Sequence, residues 1–169
     1  MDTFLGILLL AAVVVVIIFV QKIIGTTVSA VSKNVLYRSE YREGQELVSE
    51  TLNFETSAPM DQIMAALTST VTVAEMRAVK AVVYESSRSD NRVTYAFGSS
   101  LSPKNFEAEV ALTEHTVTTE GHYTILSWKE TVGLVAAQEA MKKLRRQARG
   151  AFTLADSQVR IQTTSSNEE

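Results

Sequence analysis

The sequence contains one apolar segment that is long enough to cross a membrane. Phe4–Val20 is an unbroken run of 17 uncharged residues, and Lys22, Ile23 and Ile24 follow closely. At about 1.5 Å per residue, Phe4–Ile24 spans about 30 Å as a helix, the thickness of a bilayer's hydrocarbon core. A helix on a protein surface would carry a polar stripe, and this segment has none. The sequence therefore predicts a transmembrane anchor over residues 1–24.

Two alternatives to a retained anchor remain open. The small residues Val28–Ala30 resemble a cleavage site, so the segment could be a signal peptide that is removed. However, the apolar run exceeds the length of a usual signal core, and Met1–Thr3 carries no positive charge. A buried core helix is the second alternative. Run length and flanking charge favour the retained anchor.

The charges beside the apolar segment predict its orientation. Asp2 precedes it, whereas Lys22, Lys33, Arg38 and Arg42 follow it within about 20 residues. Because basic residues are retained on the cytoplasmic side, we expect a single-pass plasma-membrane protein whose C-terminal domain lies in the cytoplasm.

The composition excludes several classes of chemistry. The chain has 169 residues and no cysteine, which excludes disulfides, thiolate metal sites and cysteine nucleophiles. Its formal net charge of −3 gives no electrostatic reason to expect a nucleic-acid partner. No motif for a cofactor or metal is present, and we expect neither. The oligomeric state is left open.

Three segments follow the anchor. Residues 25–44 are a connector, either irregular or an amphipathic helix; residues 45–161 are one α+β domain; and residues 162–169 are a flexible tail. Alternating apolar positions predict antiparallel strands at Leu47–Thr56, Val79–Ser86, Arg92–Ser99, Asn105–Thr116 and His122–Glu130. Helical periodicity predicts a short helix at Pro59–Ser69 and a long one at about Leu134–Arg149. Gly150 is a plausible end of the long helix, although Phe152 and Leu154 could carry it further.

One segment resembles the opening of a known protein family. It runs Phe54-Glu55-Thr56-Ser57-Ala58-Pro59-Met60 and leads into a helix that ends Ala65-Ala66-Leu67. It is similar to the start of the START-like, polyketide-cyclase-like helix-grip (SRPBCC-type) family. The resemblance implies a curved sheet that grips the long C-terminal helix, with an apolar cavity between them. Members of that family typically bind lipids or other hydrophobic ligands.

The catalytic inventory is thin, so we expect a non-enzyme. His115 and His122 flank a turn and could meet across it to bind a metal, but a pair of exposed polar residues is the favoured explanation, because no fixed ligand spacing supports a site. Glu107 and Glu109 share a strand face and are explained by solvation. If the resemblance holds, a membrane-anchored module would bind a lipid or another hydrophobic small molecule. The candidate pocket residues are Tyr95, Phe97, Phe106, Val110, Leu126, Trp128, Met141 and Leu144.

The polar face of the long helix supports a second hypothesis. Lys142, Arg145, Arg146 and Arg149 fall opposite its apolar stripe. Near an anionic leaflet each such residue can contribute about 1 kcal/mol to binding. The chain could then be an accessory or scaffold protein that docks on a membrane protein or an anionic bilayer surface, although an ordinary solvated helix face gives the same pattern.

Overall fold

A computed structural model of the protein describes residues 38–165. The chain divides into two units, Met1–Tyr41 and Arg42–Glu169. Within the described range there are three helices and eight strands. In chain order they are α1 (Arg38–Ser49), β1 (Glu50–Thr56), α2 (Met60–Thr70), β2 (Val82–Ser89), β3 (Arg92–Ser99), β4 (Ser102–Glu114), β5 (Thr119–Trp128), β6 (Glu130–Thr131), β7 (Leu134–Val135), α3 (Gln138–Ala155) and β8 (Arg160–Ser165).

The main sheet has six strands in the order β2-β3-β4-β5-β1-β8, and all neighbours are antiparallel. Strands β2 to β5 form a meander, and its last strand, β5, pairs with β1 on its other side. Register shifts within the β2–β3, β3–β4 and β4–β5 pairs mark bulges, which bend a sheet and increase its twist. The sheet is therefore curved, with one face packed and one face open to solvent.

Helices α2 and α3 pack on the inner face of the curved sheet. α3 is amphipathic, and its apolar stripe of Met141, Leu144, Ala148, Ala151 and Phe152 is fully buried. The Phe152 ring stacks on Phe54 of β1, with ring centroids 3.9 Å apart. The core thus lies between the sheet and its helices, as expected for an α+β domain.

One end of the sheet is closed by hydrogen bonds to the carboxylate of Asp156, directly after α3. Thr56 Oγ1 donates to Asp156 Oδ2 at 2.7 Å, and the Ser57 backbone and hydroxyl donate to the same oxygen. Gln158 N donates to Oδ1 at 2.8 Å. On the neighbouring strand, Thr119 Oγ1 donates to the Ala58 carbonyl at 2.8 Å. We call this the latched end, defined by Thr56–Ala58, Thr119 and Asp156.

Several predicted boundaries are corrected by the structure. Leu47–Ser49, predicted as strand, are the last turn of α1, so β1 begins only at Glu50. The long helix starts at Gln138 because Leu134–Val135 form β7, and it continues through Gly150 to Ala155. Residues 162–165, predicted as flexible tail, belong to β8. That strand is polar because its side chains lie exposed at the sheet edge and its pairing is through the backbone.

The α+β class and the curved antiparallel sheet are confirmed. Within residues 38–165 no helix is both long enough and apolar enough to span a membrane. The predicted anchor over residues 1–24 and most of the predicted connector lie outside the described residues.

Candidate functional site

The inner face of the sheet holds most of the predicted pocket residues. Tyr95, Phe106, Val110, Met141 and Leu144 are each at most 1% exposed and belong to one continuous apolar core. Phe97 is half-buried and stacks on Phe106, with ring centroids 5.6 Å apart. The structure therefore brings six of the eight predicted residues together, packed against each other.

Leu126 and Trp128 do not join this core, being 49% and 40% exposed. Ala108 pairs with Ile125 while Glu107 pairs with Ser127, so Leu126 is the extra residue of a bulge. The simple alternation that predicts Leu126 as inward-facing breaks at this bulge, and Ile125 is buried instead. Trp128 pairs with Phe106 and so lies on the same side of the sheet, but at the exposed end of β5.

Two tyrosine hydroxyls are the most unusual feature of the inner face. Tyr95 and Tyr123 are each 1% exposed, and neither hydroxyl has a hydrogen-bond partner among the residues that the structure describes. The two side chains stand on β3 and β5, diagonally across β4, where Tyr95 faces Ala108 and Tyr123 faces Val110. Leaving a buried hydroxyl without a partner costs about 1–3 kcal/mol, so native cores avoid it. Two such groups on one face therefore call for an explanation.

Burial also fixes the protonation state of these phenols. It raises the pKa of Tyr95 to about 12, although the nearby positive charge of Arg88 opposes this rise. Burial likewise raises the pKa of Tyr123, and Arg145 opposes it. Both groups are therefore protonated at neutral pH and each offers one O–H donor and acceptor lone pairs.

Tyr123 is not among the pocket residues predicted from the sequence. Its position two residues before Ile125 continues the inward alternation of β5, but the bulge at Leu126 reverses that alternation further along. Tyr123 could be predicted only by assigning Tyr123 and Ile125, rather than Leu126, to the inward face of β5. A bulge leaves no clear signal in a single sequence, so this assignment could not be made from the sequence.

A cleft of about 530 Å³ opens between the start of α2 and the β2–β3 turn. Met60 and Met64 give it apolar lining, and Arg88 contributes a positive charge. The other lining residues are polar: Asp61, Ser89, Asp90 and Glu114. Met64 is itself part of the core, so the cleft reaches the packed interior at this side chain.

Arg88 connects this cleft to Tyr95. It is held by Glu85, whose Oε2 lies 2.6 Å from Arg88 Nη2, and this contact lowers the pKa of Glu85. Glu85 pairs directly with Tyr95 across the β2–β3 register, which places the ion pair beside Tyr95. Arg88 lies near the Tyr95 hydroxyl, and both its charge and its side-chain contact with that hydroxyl lower the pKa of Tyr95, against the larger effect of burial.

The predicted basic surface of α3 is divided in two by the structure. Lys142 Nζ contacts Glu43 at 2.7 Å and Glu139 at 2.9 Å, and Arg145 contacts Glu50 at 2.6 Å. These two side chains are therefore used within the domain. Arg146 and Arg149 are exposed, and Lys143, which was not predicted, is exposed beside them.

The histidines and paired glutamates form no catalytic arrangement in the described range. His115 Nε2 lies 3.6 Å from Glu120, whereas His122 lines a separate cleft of about 440 Å³ on the outer face of the sheet. Glu107 is paired with Lys104, and Glu109 with Arg92 at 3.2 Å. No cluster of three or more metal-ligating side chains occurs within residues 38–165.

Comparison with known proteins gives little further information. No protein-family model matches the chain, and no curated protein matches it. Among solved structures, the chain is similar to the crystal structure of protein Ms6760 from Mycobacterium smegmatis, at 15% sequence identity and a TM-score of 0.37. The alignment covers 65% of this chain and 90% of that one.

Proposed function

We propose that the protein is a membrane-anchored, non-catalytic module that binds an amphiphilic lipid or another hydrophobic small molecule. The ligand lies on the inner face of the sheet, under α2 and α3, and reaches it through the cleft beside Met60 and Met64. Residues 1–24 hold the module in the plasma membrane, with the domain on the cytoplasmic side.

The observation that carries this proposal is the pair of partnerless hydroxyls on Tyr95 and Tyr123. Ligand pockets are predominantly apolar, with a small number of polar groups that fix the ligand's orientation. The inner face has this composition, since two protonated phenols stand among apolar side chains. A ligand with an apolar body and one or two hydrogen-bonding atoms would satisfy both.

The element order further supports a helix-grip arrangement of the START-like type. The resembling segment Phe54–Leu67 spans the end of β1, the turn at Pro59 and most of the amphipathic helix α2. The last strand of the meander, β5, pairs with β1, and the long helix α3 crosses the inner face. These features agree with a sheet that grips its C-terminal helix.

Native mass spectrometry of the full chain, released from detergent, tests the proposal. We expect a co-purifying hydrophobic molecule, which Tyr123→Phe depletes because the hydroxyl contacts it. If the site is empty, Tyr123→Phe instead removes an unsatisfied group and raises the melting temperature without any change in bound mass.

Two further variants complete this experiment. Met60→Trp narrows the cleft and should lower ligand occupancy. Tyr84→Phe is the matched control, because the Tyr84 hydroxyl already donates to the Pro103 carbonyl at 2.7 Å, outside the inner face. Loss of ligand in Tyr84→Phe as well, or no ligand in the unmodified chain, would contradict the proposal.

The exposed strip on α3 favours a second function, an accessory protein that docks on a membrane protein or an anionic bilayer surface. Its residues are Lys143, Arg146 and Arg149, since Lys142 and Arg145 are held by glutamates of the domain. Such binding weakens steeply as salt is raised. Arg146→Gln with Arg149→Gln should abolish it and leave ligand occupancy unchanged.

A further inference from the structure

Exposed apolar side chains gather at the end of the sheet opposite the latched end. Val79 is 82% exposed, Leu101 80% and Val132 68%, and the partly exposed Met76 and Trp128 lie in the same region. Trp128 is the last residue of β5, and the other four come from three separate connections: the α2–β2 connection, the β3–β4 turn and the β6–β7 turn. We call this region the apolar end, defined by Met76, Val79, Leu101, Trp128 and Val132.

Hydrogen bonds hold these connections beside one another. Ser100 N donates to the Arg77 carbonyl at 2.9 Å, which joins the β3–β4 turn to the α2–β2 connection. Lys129 Nζ donates to Ser102 Oγ at 3.1 Å, which joins the start of the β6–β7 hairpin to the same turn. The exposed side chains are therefore presented together on an ordered scaffold.

Val132 is in a backbone conformation that its side chain disfavours. Thr131 pairs with Leu134, so Val132 and Gly133 form a two-residue hairpin turn. Both have positive φ, 53° and 78°, as a type I′ turn requires. Asn or Gly suits the first position, whereas a β-branched residue there is a genuine outlier. A strained and exposed valine is explained if its side chain has a partner outside the domain.

The N-terminal boundary of the domain lies at this same end. Gln45 Nε2 of α1 donates to Glu130 Oε1 of β6 at 3.5 Å, and Gly44 packs against Val135 of β7. The 17 residues between Ile24 and Arg42 span at most about 60 Å when fully extended. A chain anchored through residues 1–24 therefore keeps the apolar end within reach of its own bilayer.

Charges at the apolar end are nearly balanced. Arg77, Lys80, Lys104 and Lys129 stand against Glu75, Glu107 and Glu130. Burial of apolar side chains, rather than attraction to anionic headgroups, would thus dominate contact with a lipid surface. Trp128 suits such a contact because its ring is apolar and its N–H is polar, which is why tryptophan collects at membrane interfaces.

We propose that the apolar end inserts into the outer part of the bilayer that holds the anchor, with Leu101, Val132 and Trp128 entering the acyl boundary. The inference rests on the proposed anchor over residues 1–24. It does not rest on ligand binding at the inner face.

Trp128 is the only tryptophan in the chain, so its fluorescence reports this contact without labelling. The full chain is reconstituted into nanodiscs of zwitterionic lipid, with and without bromine on the acyl chains. We expect a blue-shifted Trp128 emission that brominated lipid quenches, and quenching that 0.5 M salt does not abolish. Leu101→Ser with Val132→Asn should remove most of the quenching.

The chain also offers matched controls at the opposite end. Val117 and Leu154 are 79% and 67% exposed, and they lie at or next to the latched end. Val117→Asn with Leu154→Ser should leave the quenching intact. Because asparagine suits the turn position of Val132, the melting temperature of that variant should not fall, which separates lost contact from unfolding.

The possible outcomes separate the membrane contact of the apolar end from the anchor over residues 1–24. Co-flotation of the chain with lipid after carbonate washing reports the anchor alone, and failure to float would overturn both the anchor and the inserted apolar end. A chain that floats but whose Trp128 is not quenched would overturn the apolar-end inference while the anchor stands. Quenching that high salt removes would assign the contact to the basic strip of α3 and would equally overturn it.

Discussion

The two ends of this domain differ in their side chains: one end is closed by hydrogen bonds, and the other exposes apolar groups. At the latched end the carboxylate of Asp156 accepts hydrogen bonds from Thr56, Ser57 and Gln158, and the Thr119 hydroxyl binds the Ala58 carbonyl. At the apolar end the turns carry exposed valine and leucine, and one turn holds Val132 in a strained conformation. Stability is concentrated at the first end, and the second end carries features that stability does not explain.

The largest effect is expected in the core beside the latched end. Phe152→Ala removes a ring that is 1% exposed and stacks on Phe54, and should cost about 3–5 kcal/mol of unfolding free energy. Urea denaturation measures this. Leu154→Ala, on the same helix but exposed, is the control and should change little; equal losses would remove the basis of the comparison.

The next effect comes from one buried hydrogen bond. Thr119→Val keeps the shape of the side chain but leaves the buried Ala58 carbonyl without its donor, at a cost of about 1–3 kcal/mol. Thr113→Val, on an exposed position of β4, serves as the reference. A melting temperature equal to that of the reference would show that the bond contributes nothing.

Acid should weaken the latched end. Hydrogen bonds from Thr56, Gln158 and Ser57 lower the pKa of Asp156 to about 2, from an ordinary 3.8. Its stabilising contribution is therefore complete above about pH 4 and is lost as the pH falls toward 2. Melting temperatures across this range should fall more steeply for the unmodified chain than for Asp156→Asn. If the melting temperatures of the two proteins fall in parallel with pH, Asp156 is not the source of the acid sensitivity.

The smallest effect, and one of opposite sign, is expected at the apolar end. The backbone at Val132 is left-handed, and asparagine adopts this conformation with less strain than valine. Val132→Asn should therefore raise the unfolding free energy by about 1 kcal/mol. Leu101→Ser should stay within about 0.5 kcal/mol of the unmodified chain, since Leu101 is exposed. A clear loss of stability in Val132→Asn would show that this valine supports the fold.

How far the sequence predicts the domain depends on whether a signal is local. Pro59 and the apolar spacing of Met60, Ile63 and Leu67 are local, and α2 lies within one residue of its prediction. The apolar stripe of α3 is likewise a local signal, and the predicted Met141 and Leu144 are buried. In contrast, β8 has a polar sequence and exists because β1 offers it backbone partners, which is a tertiary cause.

The candidate site shows the same division. Buried strand residues such as Tyr95 and Phe106 follow from alternation, whereas the exposure of Leu126 follows from a bulge set by pairing with β4. The ion pairs that hold Lys142 and Arg145 join residues distant in the chain, so a helical wheel could not show which positive charges remain exposed. Sequence therefore indicates which side chains face inward and leaves unknown which of them lack a partner.

The position of β1 in the sheet also determines when this domain can be completed during synthesis. Its two neighbours both come later in the chain, and Asn53 reaches its partner Thr164 only 111 residues further on. At about 5–20 residues per second the ribosome needs roughly 5 to 20 s to make that stretch. Pairings of such long sequence separation also form slowly. A nascent chain therefore carries β1 with both edges open for seconds, in need of protection from other strands, until β5 and then β8 arrive.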